Sequence, residues 1–384
     1  MARTQPMSGR RRRREERKSE PQMKKRKAAR MPKVAEGKQD QEEGEGTFQR
    51  KGAPTSKGPS RDNLIGWKKP NDLSDKWSAL ETKMESDLTI CSWNLCGLGS
   101  QVKRKDIGRV LEEVNCDICT ITEHHKEVDE FTVGSNDSLN RKDMSIPGYR
   151  IYAKHRGMQK KGGVAIAWKA GLNVSPWVGA KIPEGMEVKG LERCWVKVPS
   201  KPQDLYVGTV YMPTEGNNKA CKDFTEILEI LELDLLEIEK AKGKAILYGD
   251  FNAHIGNPRE SDYGIEGNNA GIGLNGGALI EWLQKWDRIV VNAVPGAKGL
   301  WTRQRGISKS VLDLMVCGNS DVSRVKAFLV DDERELCGGV RTDHNLLVSL
   351  VKASYNRIVW TRPPSQKWDF SSTDRKCFSS TYQE

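Results

Sequence analysis

The sequence predicts an α/β fold, and three observations support this class. Short apolar runs rich in Val, Ile and Leu, bounded by turn residues, have the pattern of buried strands. Between them lie segments whose apolar residues recur every three or four positions, which is the pattern of amphipathic helices. The two kinds of segment are interspersed along the chain, and such mixed order is typical of α/β proteins.

Predicted helices and strands extend from about residue 86 to residue 352. The longest predicted helix, 219–240, repeats apolar residues from Phe224 to Ile238 at helical spacing. Further helices are predicted at 102–114 and 277–286, and a short one within 71–85. Strands are predicted at 88–93, 118–121, 149–154, 163–168, 194–198, 205–211, 245–249, 288–292, 311–317 and 345–351.

The N-terminal segment, residues 1–70, differs from the rest in composition. It holds 21 of the 63 basic and 9 of the 52 acidic residues, so the net charge of +11 belongs to this segment. Its low apolar content predicts a disordered basic tail. The clusters Arg10–Arg14 and Lys24–Lys27 fit nuclear import or attraction to nucleic acid, or a solvated tail. We therefore expect a nuclear protein, with the cytoplasm as the alternative.

The domain predicted from these boundaries is 86–352, followed by an irregular linker or truncated remainder at 353–384. Since no run of about 18 apolar residues occurs, we expect no membrane partner. Nine cysteines without a dense framework or a signal peptide indicate a reducing compartment. Cys116 and Cys119 lack a second pair at zinc spacing, so we interpret them as structural. We assign Trp168, Trp195, Trp282 and Trp286 to the core.

Polar residues follow the apolar strands at several points along the chain. Asn94, Glu123 and Tyr211 each lie at or just after the end of a predicted strand, and Asp250 with Asn252 follows another. Any one of these, taken alone, fits a strand-end cap or an Asx turn. Their recurrence favours a site, because polar groups converging from several strand ends are how a rigid scaffold builds one.

Six short motifs follow one another along the chain: Ser92-Trp93-Asn94, Thr122-Glu123, Val210-Tyr211-Met212-Pro213, Gly249-Asp250-Phe251-Asn252, Leu312-Asp313-Leu314 and Thr342-Asp343-His344. In this order they resemble the endonuclease/exonuclease/phosphatase superfamily. Within it the chain most resembles the apurinic-type endonuclease domain of non-LTR (RTE-like) retrotransposons, and it is also similar to the craniofacial development protein 2 group. The resemblance implies a four-layer α/β sandwich with two mixed β-sheets, DNase I-like, and a site at one rim.

The resemblance also implies a Mg²⁺-dependent phosphodiesterase acting on nucleic acid, with a DNA endonuclease of retrotransposon type as the leading hypothesis. A phosphodiester is a poor electrophile because its oxygens are anionic, and a hard divalent cation with oxygen ligands offsets that charge. Asn94, Glu123 and Asp343 are the expected ligands of Mg²⁺, with Mn²⁺ as an alternative.

The remaining motif residues would carry the proton transfers. Asp250 is the expected general base, and Asn252 would orient the base or the phosphate. His344 would donate to the phosphoryl oxygens, and Asp313 would fix its tautomer and stabilise the imidazolium. Tyr211 would contribute its hydroxyl to the phosphate or leaving group. The assignments of base and acid can be exchanged within the same set of residues.

Three positions depart from the family pattern. Cys96 stands where the repair endonucleases carry an acidic residue, Thr214 replaces the Asn that follows Tyr-x-Pro, and Thr342 replaces a Ser. The first two weigh against specificity for abasic sites more than against metal-dependent hydrolysis. The loop containing Trp301 and Arg303 is where family members contact DNA.

Two other functions stay open at this point. One is a catalytically silent module that binds DNA, chromatin or protein, and the other is an RNA-directed, deadenylase-like phosphodiesterase. DNA is the expected partner, with RNA as the alternative, and the sequence leaves the oligomeric state open. We expect the histidines outside the motifs to be structural or surface residues; these are His124, His125, His155 and His254.

Overall fold

The computed structural model of this protein describes residues 74–126, 144–154, 161–186, 188, 191–216 and 218–355. The predicted basic tail 1–70, with both of its clusters, lies outside the described residues. So do His155 and all but the first three residues of the predicted segment 353–384.

Fourteen strands occur in these described ranges. They are β1 Asp87–Asn94, β2 Ile118–Thr122, β3 Tyr149–Lys154, β4 Val164–Lys169, β5 Ser175–Trp177, β6 Arg193–Val198, β7 Leu205–Tyr211, β8 Lys244–Asp250, β9 Arg288–Val290, β10 Arg303–Arg305, β11 Ser308–Ser310, β12 Asp313–Gly318, β13 Val325–Val330 and β14 Leu347–Lys352. Twelve of them form two six-stranded mixed sheets, in the orders β13-β14-β1-β2-β4-β3 and β5-β6-β7-β8-β12-β9. Strands β10 and β11 form a separate hairpin.

Three α-helices cover the outer faces of the sheets: α1 Gln101–Glu113, α2 Asn218–Lys240 and α3 Leu274–Lys285. Helix α1 begins at Ser100, whose hydroxyl accepts a hydrogen bond from the Lys103 amide, as a side-chain N-cap does. A 3-10 helix, Asp75–Thr82, precedes β1 and buries Trp77. Among the described residues, no helix combines the length and apolar character needed to cross a membrane.

The core confirms the four-layer arrangement, because alternate residues of one strand face different layers. In β1, Leu88 and Ile90 belong to the cluster between the two sheets, which includes Ile246 and Tyr248 of β8. Cys91 and Trp93 of the same strand belong to the cluster beneath α1. A third cluster packs the apolar faces of α2 and α3 on the other sheet. The apolar residues predicted for 219–240 lie in this third cluster.

Several short elements were not predicted from sequence. Strands β5, β10 and β11 have three residues each, too few for a periodicity of two to be detected. Strand β13 was also missed, although it lies at the edge of the first sheet. The predicted strand 288–292 ends at Val290, where a 3-10 helix begins. Helix α3 begins at Leu274, three residues before the predicted start. Gly276 and Gly277 have low helix propensity, so the sequence pattern did not predict this first turn.

The buried positions agree with the expectations for tryptophan and cysteine. Trp168, Trp195 and Trp282 are buried, and Trp286 is partly buried and packs against the third cluster. Cys116 and Cys119 are both buried in the cluster beneath α1. The structural interpretation of this pair is therefore confirmed.

Two pairs of parallel strands place the motif residues at one edge of the sandwich. Strand β1 is parallel to β2, and β7 is parallel to β8. Carboxyl ends of neighbouring parallel strands meet at the same edge of a sheet. In the second sheet the register aligns Tyr211 with Asp250, and Asp250 with Asp313 at the start of β12.

Candidate active site

Asp250, Asp313 and His344 form the buried centre of the site. Nδ1 of His344 lies 2.7 Å from Oδ2 of Asp313, and Nε2 lies 3.9 Å from Oδ2 of Asp250. All three residues are at most 4% exposed. Two of the residues come from adjacent strands of one sheet, and His344 precedes β14 of the other sheet. The two sheets therefore contribute jointly to this centre.

The buried charges shift the pKa values of two of these groups. Burial, together with the negative charge of Asp313, raises the pKa of Asp250 to about 7. Burial acts to lower the pKa of His344, but the carboxylates of Asp313 and Asp250 outweigh it and raise that pKa to about 9. At neutral pH the imidazole is therefore cationic, and Asp250 can either take or release a proton.

Asn94 connects this centre to the first sheet. Its Nδ2 donates to Oε1 of Glu123 and to Oδ2 of Asp250, each at 3.0 Å. Its Oδ1 accepts the backbone N–H of Cys96 at 3.0 Å. In the opposite orientation, the amide oxygen of Asn94 would face two carboxylates that can only accept hydrogen bonds. The hydrogen bonds therefore fix the orientation in which Nδ2 faces the carboxylates.

Glu123 directly follows β2 and is held on both oxygens. Oε1 accepts from Asn94, and Oε2 lies 2.9 Å from Nε2 of His125. Burial acts to raise the pKa of Glu123, but hydrogen bonds from Asn94, His125 and Tyr211 outweigh it and lower the pKa. Burial and the nearby negative charges raise the pKa of Tyr211, so its hydroxyl stays protonated.

Asp343 lies at the more open side of the site. Nε and Nη2 of Arg303 lie 3.2 and 3.0 Å from its Oδ2, and the Cys96 thiol is 3.0 Å from its Oδ1. Oδ1 is also 4.0 Å from Nε2 of His344. Burial acts to raise the pKa of Asp343, but the hydrogen bond from Cys96 and the charges of His344 and Arg303 lower it.

Local backbone geometry explains why the Gly-Asp-Phe-Asn motif has this form. Gly249 has φ of 148°, and a Cβ atom there would lie 1.9 Å from the carbonyl oxygen of Val210 in the neighbouring strand. Asn252 has φ of 45°, a conformation that Asn tolerates better than most residues. Its N–H donates to Oδ1 of Asp250, and its Nδ2 donates to the carbonyl of Met212.

The structure brings all eight residues proposed from sequence into one constellation of contacts. His125, expected to be a structural or surface residue, contacts Glu123, and this contact was not predicted from sequence. Its position two residues after Glu123 was the only signal, and the left-handed backbone at both residues turns the two side chains together. Arg303, Cys96 and Thr342 also contact the motif residues. Thr342 Oγ1 donates to the carbonyl of Asn94 at 2.8 Å, which ties the segment before β14 to the end of β1 in the same sheet.

The donor set at the Asn94, Glu123 and Asp343 side suits a hard divalent cation. It offers two carboxylates whose pKa values are lowered and one amide oxygen, which are the ligand types that Mg²⁺ and Mn²⁺ prefer. One ligand atom from each of Asp250, Asp313 and His344 also lies within 4.8 Å of the other two.

Comparison with known proteins agrees with this geometry. The model of the endonuclease/exonuclease/phosphatase family matches residues 91–344, which include every proposed site residue. The chain belongs to this family. The family name covers endonucleases, exonucleases and phosphatases, which share the hydrolysis of phosphate esters.

Two solved structures with TM-scores above 0.5 show the same fold as this chain, and a third structure is similar at a lower score. AP endonuclease LMAP from Leishmania major matches with a TM-score of 0.52 and 15% identity over 73% of this chain and 99% of that one. The catalytic domain of APE2 from Xenopus laevis matches with a TM-score of 0.51 and 15% identity over 70% and 93%. The endonuclease domain of TRAS1, a telomere-specific non-LTR retrotransposon, matches with a TM-score of 0.48 and 15% identity over 70% and 99%.

Proposed function

We propose that this protein is a divalent-cation-dependent phosphodiesterase that cleaves the backbone of nucleic acid. One observation carries the proposal: six polar side chains from both sheets meet at one rim, with Asp250 Oδ2 only 3.9 Å from His344 Nε2. Separation of these groups across the fold would have ended the enzymatic interpretation. They are Asn94, Glu123, Asp250, Asp313, Asp343 and His344.

The cation would be held by Asn94, Glu123 and Asp343. Mg²⁺ is the expected ion and Mn²⁺ the alternative. When bound, such an ion supplies positive charge that polarises the phosphoryl group and offsets its negative charge. Cys96 and Arg303 fix the Asp343 carboxylate from either side, and His125 does the same for Glu123.

The proton transfers fall to the buried centre. A carboxyl whose pKa is about 7 is well matched to accept a proton from water near neutral pH, which supports Asp250 as the general base. Its Oδ1 is held by the Asn252 amide, so Oδ2 stays directed toward His344. Protonated His344, fixed through Nδ1 by Asp313, directs Nε2–H at the position where a phosphoryl oxygen would lie.

A groove of about 1280 Å³ borders the site on the Asp343 side. Its lining includes Lys103, Arg305 and Arg341, and the last two are exposed. Exposed guanidinium groups beside a phosphodiesterase centre suit the anionic backbone of nucleic acid. The partner proposed first is DNA and the type proposed is a retrotransposon endonuclease, because the six sequence motifs most resemble that group.

A nicking assay tests this function. Wild-type protein with Mg²⁺ should convert supercoiled plasmid to the nicked form, and EDTA should abolish the reaction. Asp250→Asn should lower the rate by roughly 100-fold or more, since it removes the base. Asp262→Asn makes the same chemical change at an exposed carboxylate outside the site and should leave the rate unaltered.

Two further substrates separate the alternatives. A matched RNA strand cleaved faster than DNA would favour an RNA-directed enzyme, and a duplex with one abasic site measures damage preference. Binding of DNA without any cleavage in Mg²⁺ or Mn²⁺ would favour the catalytically silent module. Equal cleavage by wild type and Asp250→Asn would exclude the proposed site.

We also propose nuclear residence, based on the clusters Arg10–Arg14 and Lys24–Lys27. A fluorescent fusion of the full chain should concentrate in the nucleus, and replacing Arg10–Arg14 with Gln should reduce that concentration. A wild-type fusion found only in the cytoplasm would contradict this proposal.

A further inference from the structure

Arg334 lies in the wall of the groove beside Asp343, and its backbone conformation is unusual. Its φ is 57°, in the left-handed region that residues other than glycine seldom occupy. Within the described residues, its half-buried guanidinium donates only to uncharged oxygen atoms. A strained backbone persists where surrounding interactions hold it, so the contacts of this side chain show what the conformation serves.

The Arg334 guanidinium binds the segment that carries Asp343 and His344. Nη1 lies 3.2 Å from Oδ1 of Asn345 and 3.4 Å from the carbonyl oxygen of His344. Nη2 lies 3.2 Å from the carbonyl oxygen of Val340. Donors of a cationic group form stronger hydrogen bonds than neutral donors, and the planar guanidinium fixes their geometry. One rigid group therefore binds this segment on both sides of Asp343.

Segment 340–345 depends on such side-chain donors because it lies outside the strands, between a 3-10 helix and β14. The carbonyl of Arg341 accepts from Nζ of Lys103 at 2.7 Å. The carbonyl of His344 also accepts from Nε1 of Trp93 at 3.2 Å. Backbone carbonyls removed from water need such partners. The position of this segment is therefore set largely by donors from elsewhere in the chain.

The turn that carries Arg334 is held independently of its guanidinium. The carboxylate of Asp331 accepts three backbone N–H groups of this turn, those of Glu335, Leu336 and Cys337. The backbone N–H of Arg334 donates to the carbonyl of Asp331 at 2.9 Å. The guanidinium adds only one long contact here, 3.5 Å from Nη2 to the carbonyl of Cys337. Its loss should therefore free segment 340–345 and leave the turn folded.

We propose that Arg334 is a positioning residue for the proposed reaction. Its guanidinium fixes the backbone around Asp343 and His344 and so places their side chains at the site. Arg334 acts through these two residues and not on the substrate. This role in cleavage rests on the proposed function, whereas the hydrogen bonds that hold the segment do not.

A competing role for Arg334 is to attract the nucleic-acid backbone by its charge alone, as an arginine in this groove could. The two roles differ in whether lysine can replace it. Lysine keeps the charge but offers a compact ammonium, which cannot reproduce the planar fork of donors. Charge attraction therefore tolerates Arg334→Lys, and positioning does not.

Nicking rates over a range of DNA concentrations, with saturating Mg²⁺, separate the two roles. Arg334→Gln and Arg334→Lys should both lower kcat by about 10- to 100-fold, since small displacements of catalytic groups have large effects on rate. Their KM should change by less than about threefold. Arg341→Gln removes the same charge from an exposed side chain of the same groove, so it should raise KM and keep kcat. A wild-type kcat in Arg334→Lys, or an effect of Arg334→Gln confined to KM, overturns the proposal.

Amide hydrogen exchange of the metal-free protein is a readout that needs no catalysis. The N–H of Gln304 donates to the carbonyl of Asp343, and the N–H of Asn345 donates to the carbonyl of Thr302, both at 2.7 Å. In Arg334→Gln these two amides should exchange at least about tenfold faster than in wild type, because the segment opens locally. Wild-type protection of both amides overturns the proposal.

The amides of Glu335, Leu336 and Cys337 serve as the internal control. The Asp331 carboxylate holds them, so they should keep their protection in Arg334→Gln and Arg334→Lys. Loss of protection there as well would make Arg334 a general structural residue and overturn the positioning role. If wild type does not nick DNA but the exchange changes stay local, the proposed function fails while the contact of Arg334 with segment 340–345 stands.

Discussion

At the scale of single residues, the carboxylate of Asp313 sets the charge state of His344. The two side chains lie 2.7 Å apart and are both buried, so no solvent screens their attraction. This ion pair explains how a buried imidazole holds its proton at neutral pH. The predicted role of Asp313, to fix and stabilise the imidazolium, therefore gains a geometric basis.

Asp313→Asn tests that role directly. Loss of the negative charge should lower the pKa of His344 from about 9 by about one to three units. The measurement is an NMR titration of the His344 imidazole in EDTA, with wild type and variant titrated under the same conditions. Cleavage at neutral pH should fall as well. A pKa that stays near 9 would show that Asp313 does not stabilise the imidazolium.

The raised pKa of Asp250 predicts how stability depends on pH. An Asp in the unfolded chain titrates at about 3.9, so between roughly pH 4 and pH 7 the folded state holds a proton that the unfolded chain has lost. Stability of the metal-free protein therefore falls as pH rises through this window. Asp250→Asn carries no such proton and escapes this loss.

In EDTA, the melting temperature of Asp250→Asn relative to wild type should increase from about pH 5 to about pH 8. Over this pH range, the free energy of unfolding of the variant should gain ~2–4 kcal/mol relative to that of wild type. Asp262→Asn should follow wild type at both pH values. A gap of constant size would mean that the Asp250 carboxyl is already ionised at the lower pH.

At the scale of elements, the start of α3 is packed against the loop that follows Asn252. A Cβ atom at Gly276 would lie 1.8 Å from the carbonyl oxygen of His254, whereas a Cβ at Gly277 would meet no atom within 4 Å. Asn275 reinforces this contact, because its Nδ2 donates to the carbonyls of Pro213 and Asn252. Helix α3 therefore supports the loop that follows Asp250 and Asn252.

These adjacent glycines give a matched pair of alanine substitutions. Gly277→Ala should stabilise the protein by about 0.5–1 kcal/mol, because alanine is the better helix former and the space is open. Gly276→Ala should destabilise it by about 1–3 kcal/mol and lower the cleavage rate, since the helix must move away from His254. Denaturant unfolding measures both. Equal effects of the two substitutions would show that the contact with His254 does not constrain the helix.

Sequence patterns could predict the long elements and the residues that end them. Four of the apolar runs, which form β1, β2, β7 and β8, end at or next to a polar motif residue. These residues are Asn94, Glu123, Tyr211 and Asp250. The sequence alone therefore predicted which residues lie at the rim of the sandwich. The supporting contacts were not visible, because they depend on backbone conformation and on distant segments. The left-handed residue His125 and the hairpin residue Arg303 reach the site only in the folded chain.

At the scale of the whole molecule, a bound cation would couple the two ends of the domain. The proposed ligand Asn94 is the last residue of β1 and Glu123 follows β2, whereas Asp343 precedes β14. An ion bound by the folded state alone stabilises it, by about 2.7 kcal/mol at a concentration one hundred times its dissociation constant. Mg²⁺ or Mn²⁺ should therefore raise the melting temperature of wild type.

Asp343→Asn should abolish most of that rise, while Asp262→Asn should retain it. The measurement is a thermal melt with increasing Mg²⁺ and no nucleic acid, so it is independent of turnover. A full rise in Asp343→Asn would remove this residue from the cation ligands.

The pairing of β1 with β14 has a consequence for the synthesis of this protein. In the first sheet β1 lies between β2 and β14, so a strand made early needs one of the last strands as its neighbour. During translation, more than two hundred residues must follow β1 before β14 has been made and can pair with it. Asp343 and His344 emerge only then, so the candidate site cannot assemble until both of them have left the ribosome.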